Sequence, residues 1–232
     1  MFDKEQYAKM LRESPFGLSE VQIEKQIEIK ANNHANLKKG PYVVHLEYYH
    51  GILDDQDIGE LEELLGQAGL ELSRHNKTGQ VYANIQDYAL QISIAFGPSI
   101  VTAIMQSATW DVIKAITKKS WQLIANRGGS LRTFGSAETM NFGLKIKLEN
   151  NRISEFHLDS KLPPEVFDKA MEKFLEYVSS QQPEPVIPSA IPDFMTFDIE
   201  SEEWGKVDVM AKFREIAEQQ ARERAANRDR LA

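Results

Sequence analysis

A long stretch without charge constrains this chain more than any other feature of its sequence. No charged residue occurs between Asp87 and Asp111, and this stretch has the highest density of apolar residues in the chain. Those residues are Leu90, Ile92, Ile94, Phe96, Ile100, Val101, Ile104 and Met105. Burying so many apolar side chains is strongly favoured in water. We therefore expect the rest of the chain to be organised around residues 88–124.

The first part of this stretch has two possible structures. From Leu90 to Phe96, apolar residues occupy every second position, which is the period of a half-buried strand. Leu90 and Ile94 are also spaced as i and i+4, so a helical hairpin is the alternative for residues 88–96. We favour the strand and keep the alternative open.

A helix is predicted after this segment. Pro98 suits the first turn of a helix, because no N–H is needed there. The apolar residues that follow are spaced by three and four, up to Ile124, and Gly128 and Gly129 mark the stop. Trp110 and Trp121 fall on one side of this helix, a pattern typical of a core or an interface. A membrane span is disfavoured, because polar residues and Gly97-Pro98 interrupt the stretch and no basic cluster flanks it.

Composition narrows the class of protein. The 232 residues are 42% hydrophobic and 27% charged, as in an ordinary globular protein. The formal net charge of −8 argues against a general nucleic-acid binder. Cysteine is absent, which excludes disulfides, thiolate metal sites and cysteine nucleophiles. The first residues lack the layout of a signal peptide, so we expect a cytoplasmic location.

The pattern along the chain predicts an α+β fold, with a small mixed or antiparallel sheet packed by helices. We expect N-terminal helices in residues 1–40, an α+β core domain in 41–180, a proline-rich linker in 181–193, and a C-terminal docking segment and helix in 194–232. Strands are predicted at 43–49, 70–73, 80–85, 142–148 and 153–158. A helix with acidic residues in its first turn begins near Asp54. If Leu148 lies opposite Ile153, the last two strands need a bulge to bring their apolar residues onto one face.

Two groups of residues are candidates for chemistry. His45 and Glu47 share one face of the first strand, with His50 nearby, and could hold a divalent metal or act as acid and base. Their spacing matches no established metal motif, so polar residues on an exposed strand face are the competing interpretation. The basic loop 127–135, with Arg127 and Arg132, could bind a phosphate. However, it follows a helix, whereas a phosphate-binding loop usually precedes one.

The established motifs of several enzyme classes are missing. The chain has no Gly-x-Ser-x-Gly, no P-loop and no His-Glu-x-x-His motif. We therefore predict no catalytic residue, metal or cofactor. Whether His45, Glu47, Arg127 and Arg132 meet in one pocket is a question that the sequence leaves open.

The C-terminal segment carries large apolar residues at helical spacing. Those predicted to dock are Trp204, Met210, Phe213 and Ile216. Such an amphipathic segment packs either on its own domain or on a partner. We expect it to mediate contact with a protein partner or self-association, and we assign an assembly role to the helix with Trp110 and Trp121.

The order of elements in residues 42–179 resembles the small effector-associated domains of bacterial conflict and antiphage systems. The residues that carry the resemblance are 94–98 (Ile-Ala-Phe-Gly-Pro), 121–124 (Trp-Gln-Leu-Ile) and the predicted hairpin 144–158. The resemblance implies an adaptor or assembly role and no catalytic residue. Our leading hypothesis is a non-catalytic interaction subunit. The alternative is a phosphate-handling enzyme or a nucleotide-binding or nucleic-acid-binding protein that uses the basic loop.

Overall fold

The computed structural model of the chain describes most of its length. The described residues are 2–15, 17–49, 52–78, 90–104, 107–126, 130–133, 136–139, 141–148, 152–180, 192–208, 211, 214 and 218. For residues 90, 91, 104, 107, 108, 130–133, 136–139 and 141, only the backbone is described. The predicted strand at 80–85 and His50 therefore lie outside the described residues.

A seven-stranded mixed sheet forms the centre of the described structure. In chain order its strands are β1 (Val43–Tyr48), β2 (Glu71–Asn76), β3 (Leu90–Phe96), β6 (Asn141–Lys147), β7 (Ile153–Asp159), β8 (Asp193–Asp198) and β9 (Glu203–Lys206). Their order in the sheet is β2-β1-β3-β6-β7-β8-β9. β4 (Ser130–Thr133) and β5 (Ser136–Thr139) form a separate two-stranded sheet.

Helices accompany these strands, and six of them lie in the described part of the chain. They are α1 (Lys4–Arg12), α2 (Glu20–Ala35), α3 (Asp55–Gln67), α4 (Pro98–Ile104), α5 (Ser107–Asn126) and α6 (Pro164–Ser180). The combination confirms the predicted α+β class. None of the helices, within the described residues, is both long and apolar enough to cross a membrane.

One face of the sheet is apolar because side chains alternate along every strand. Strand pairing places Leu46, Ile94, Leu144, Phe156 and Met195 in one row across five strands. All five are buried, and α3, α4, α5 and α6 contribute to the same core. We call this side the core face.

The intervening residues form the opposite side of the sheet, which we call the polar face. One of its rows contains Glu47, Ser93, Gly143, His157 and Thr196. The neighbouring row contains His45, Ala95, Lys145, Glu155 and Phe194. Charged side chains from distant parts of the sequence therefore lie side by side.

The central stretch adopts the strand that we favoured. Residues 90–96 form β3, which pairs with β1 and β6 in the middle of the sheet. The helical region that follows is α4 and α5, whose described residues leave out 105 and 106. α3 begins as predicted, and Asp54 caps it by accepting a hydrogen bond from the Asp57 N–H.

The predicted bulge between β6 and β7 is wrong. The strands pair Lys147 with Ile153 and Leu144 with Phe156, without a shift of register. Leu148 is opposite Arg152, because the Leu148 N–H donates to the Arg152 carbonyl at 2.9 Å. This offset of one residue already puts the apolar side chains of both strands on the core face.

The sheet continues beyond the predicted domain boundary at residue 180. β8 pairs with β7 in parallel, and β9 pairs with β8 in antiparallel. The start of the predicted docking segment, residues 194–206, thus lies on its own domain. The linker predicted at 181–193 falls almost entirely outside the described residues.

The N-terminal helices form a hairpin outside the main core. A bidentate pair between Arg12 and Glu20 joins α1 to α2 at 3.0 and 2.9 Å. The buried apolar residues of the two helices are Ala8 and Ile23, and neither belongs to the main core. At the end of α2, the Asn33 side chain donates to the Asn76 carbonyl and accepts from the Asn76 N–H.

Candidate functional site

The polar face carries a cluster of charged side chains. They come from four strands of the sheet and from the residue after β2. Its members are Glu47 on β1, Lys77 after β2, Ser93 on β3, Lys145 on β6, and Glu155 and His157 on β7. Ser93 and His157 are buried, at 0% and 8% exposure. Charged groups are seldom placed in such surroundings unless they are paired.

Glu47 receives three donors on one oxygen. The Ser93 hydroxyl donates to Glu47 Oε2 at 3.1 Å, and Lys145 Nζ donates to the same atom at 3.3 Å. Lys77 Nζ lies 3.7 Å from it. One carboxylate oxygen is thus shared by a hydroxyl and two ammonium groups, which is a charge-assisted arrangement.

Lys145 joins the two carboxylates of the cluster. Its Nζ lies 3.4 Å from Glu155 Oε1, in addition to its contact with Glu47. Glu155 Oε2 lies 3.7 Å from His157 Nε2. The two lysines thus stand against two carboxylates, and their charges balance.

The charges of the cluster keep both carboxylates ionised. Burial raises the pKa of Glu47, but Lys145, Lys77 and the Ser93 hydrogen bond outweigh it, so that the pKa is lower than usual. Burial also raises the pKa of Glu155, and His157 and Lys145 reverse the effect and lower it. A carboxylate with a lowered pKa is a weak proton acceptor.

The pKa values of the two lysines are shifted in opposite directions. Burial lowers the pKa of Lys77, and the attraction of Glu47 offsets only part of this effect. Burial acts in the same direction on Lys145, but Glu155 and Glu47 outweigh it and raise its pKa. Lys145 is therefore the more firmly charged of the two. Lys77 also lies over the ring of Tyr49, 5.5 Å from its centre.

His45 and Glu47, the pair singled out from the sequence, do share the polar face. Burial lowers the pKa of His45, and the nearby charge of Glu47 opposes the shift. Among the described residues, no group of three or more His, Asp or Glu side chains is placed to hold a metal ion. Glu47 instead pairs with lysines, which sequence reasoning did not foresee.

The partners of Glu47 were missed because only strand pairing brings them together. Lys145 is 98 residues away from Glu47 along the chain. The alternation of Lys145 and Lys147 in β6, and of Glu155 and His157 in β7, was visible in the sequence. It predicts that these side chains leave the core face, but not which strands are neighbours.

The phosphate-binding site predicted at the basic loop 127–135 cannot be located from the described residues. Arg127 lies outside the described residues, and of Arg132 only the backbone, in β4, is described. Four cations on either side of this loop in the sequence pair with acids: Lys114 and Lys118 with Asp168, Lys119 with Glu60, and Arg152 with Asp193. The phosphate-binding role of Arg127 and Arg132 stays a prediction.

The three tryptophans predicted for interaction all pack within this chain. Trp110 is partly buried and stacks on Phe174, with the ring centres 6.2 Å apart. Trp121 is 2% exposed, and its indole N–H donates to the Asp159 carbonyl at 3.1 Å. A side chain so deeply buried is closed to a partner in this conformation.

Trp204 fastens β9 to the helical layer. Its indole N–H donates to the Ala170 carbonyl in α6 at 3.0 Å. Its ring is perpendicular to that of Phe156, with the ring centres 4.9 Å apart. Met210, Phe213 and Ile216 lie outside the described residues. Their neighbours Ala211, Arg214 and Glu218 are helical and exposed.

Comparison of the chain with known protein families, with curated proteins and with solved structures gave no match. A proposal about function therefore depends on the geometry of this molecule.

Proposed function

We propose that this protein is a non-catalytic interaction or assembly subunit, and that its N-terminal helical hairpin provides part of the surface it uses. The distribution of exposed apolar side chains carries the proposal. The large apolar side chains exposed in the described part of the chain are Met10, Val21, Leu37, Tyr42, Ile153 and Ile199. The first four precede β1, and Val21 is 75% exposed.

The hairpin has the build of a docking element. It stands outside the main core, and a buried polar anchor, Asn33, fixes the end of α2 to β2. Covering exposed apolar side chains with a partner removes them from water, which stabilises the complex.

The polar face supports the non-catalytic part of the proposal. Lys77 and Lys145 neutralise Glu47 and Glu155, and both carboxylates have a lowered pKa. A general base has to accept a proton near neutral pH, and these carboxylates are poorly suited to that task.

Two further features agree with an interaction subunit. A helical segment follows β9, where the Asp208 side chain accepts a hydrogen bond from the Ala211 N–H as a helix cap does. The resemblance to small effector-associated domains implies that the partner belongs to a bacterial conflict or antiphage system. A captured partner's identity tests that implication.

The experiment compares a double variant with a control of equal charge. Met10→Glu with Val21→Glu places charges on the exposed apolar positions and lowers the net charge by two. Lys30→Glu makes the same change of charge at an exposed position of α2. Each tagged protein is purified gently from the native host and examined by native mass spectrometry.

We expect a stoichiometric partner, or a defined oligomer, with the wild type and with Lys30→Glu, and its loss with the double variant. Circular dichroism checks that all three proteins are folded. The proposal fails for the hairpin if the double variant keeps the partner. It fails as a whole if the wild type is a bare monomer.

A further inference from the structure

Three donors surround one carboxylate oxygen on the polar face, and the arrangement suggests a site that no comparison assigns. We propose that Ser93 Oγ, Lys145 Nζ and Lys77 Nζ form a binding site for the carboxylate of a small organic acid, which enters in exchange for the carboxylate of Glu47. This inference goes beyond the interaction function and does not depend on it.

The donors are more deeply buried than the carboxylate they hold. The side chains of Lys77 and Lys145 are 11% and 24% exposed, and Ser93 is 0% exposed. The side chain of Glu47 is 35% exposed. Glu47 is therefore the component of the group that can turn towards solvent with the least rearrangement.

Lys145 and Ser93, two of the three donors, keep their positions when Glu47 leaves. Lys145 remains paired with Glu155, whose side chain is 14% exposed. Ser93 is in β3, which has a paired strand on each side. Pre-organised donors of this kind lower the cost of binding an anion, because little has to be ordered on arrival.

The floor beside the donors is made of small residues. Ser93 is opposite Gly143 in the pairing of β3 with β6, and Ala95 is opposite Lys145. Gly143 has no side chain, and Ala95, which is partly exposed, has only a methyl group. Gly143 itself is buried, so the ligand has to take the space that the Glu47 side chain leaves, which limits it to a small acid with its carboxylate towards the donors.

The charge of the cluster selects the class of ligand. A monoanionic carboxylate replaces Glu47 charge for charge and reproduces the geometry that the donors already hold. A dianionic phosphate would add a second negative charge close to Glu155, and like charges at short range are repelled. We therefore expect carboxylate to bind in preference to phosphate.

Acetate is the probe for the test. Nuclear magnetic resonance follows the amide signals of residues 47, 93, 143 and 145 in the wild type, with sodium chloride exchanged for sodium acetate at constant ionic strength. We expect saturable shifts in the wild type. In Glu47→Gln, which removes the internal competitor, we expect affinity to rise about tenfold.

Variants of the donors separate a site from a general salt effect. Lys145→Met and Ser93→Ala should lose the saturable shifts, and Ser93→Ala covers the case in which the lysine variant does not fold. Lys147→Met, an exposed lysine on the same face, should bind acetate like the wild type. Inorganic phosphate should bind more weakly than acetate.

Two results would overturn the proposal. If Glu47→Gln binds acetate and the wild type does not, Glu47 is a permanent counterion and the site takes no external ligand. If Ser93→Ala binds as well as the wild type, or if phosphate binds as tightly as acetate, the assigned donors or the assigned ligand class are wrong.

Discussion

Lys145 and Glu155 are directly opposite each other in the antiparallel pair of β6 and β7, and their charged groups lie 3.4 Å apart. Cross-strand neighbours of opposite charge stabilise a sheet. Here the lysine also holds Glu47 on the far side of β3. A single cation thus connects β1, β6 and β7 on the polar face.

Lys145→Met should destabilise the protein, because it leaves two half-buried carboxylates facing each other without their shared cation. We expect a loss of about 1–3 kcal/mol, between the values typical of surface pairs and of fully buried pairs. Urea unfolding measures it. Lys147→Met serves as the control and should change the free energy of unfolding by less than about 0.5 kcal/mol. Equal effects of the two variants would mean that the cluster adds no stability.

The cluster should also make stability depend on pH in acid. The pKa of Glu47 and that of Glu155 lie below the ordinary value of 4.5 in the folded protein. The unfolded chain therefore takes up protons first as the pH falls, and the stabilisation present above pH 4.5 is lost as the pH drops through the folded values. Urea unfolding at a series of pH values should show a shallower acid loss in Glu47→Gln with Glu155→Gln. An unchanged slope in that variant would place the acid sensitivity elsewhere.

Asn33→Ala should loosen the N-terminal hairpin without unfolding the sheet. The substitution removes both hydrogen bonds to Asn76, each of which contributes about 1 kcal/mol. Hydrogen exchange should therefore quicken in α1 and α2 and stay unchanged in β3 and β6. Asn32→Ala, at an exposed neighbouring position, is the matched control. Similar exchange in both variants would show that other contacts hold the hairpin.

Two truncations should behave differently. A chain that ends at Asp208 keeps all seven strands of the sheet and should unfold cooperatively, like the full-length protein. A chain that ends at Ser180 loses β8, β9 and Trp204, which uncovers Phe156 and removes the hydrogen bond to the Ala170 carbonyl. We expect it to unfold at a much lower temperature in calorimetry. A Ser180 fragment as stable as the longer one would contradict the role of these strands.

Much of the fold could be predicted because the signals are local. The alternation in β3 and the helical spacing in α4 and α5 each depend on residues that are close in sequence. The prediction of a bulge between β6 and β7 was wrong because the assumed pairing was shifted by one residue. Such a shift moves every side chain to the opposite face of the sheet. The turn between these strands does not fix that register from sequence alone.

The candidate site was largely unpredictable for a different reason. Glu47 could be identified on β1, but its donors come from β3, β6 and the chain after β2, and sequence periodicity says nothing about which strands are neighbours. For Trp204 the sequence predicted docking on its own domain or on a partner. Packing on the same chain and packing on a partner bury the same side chains, so the choice between them stayed open.

The contact of Trp204 with Phe156 and Ala170 has a consequence for synthesis on the ribosome. The chain must be translated beyond residue 204 before that indole can cover its partners. Until then, the ring of Phe156 and part of α6 face the solvent of the cell as an apolar surface. This interval is when we expect the nascent protein to be most exposed to chaperones and to aggregation.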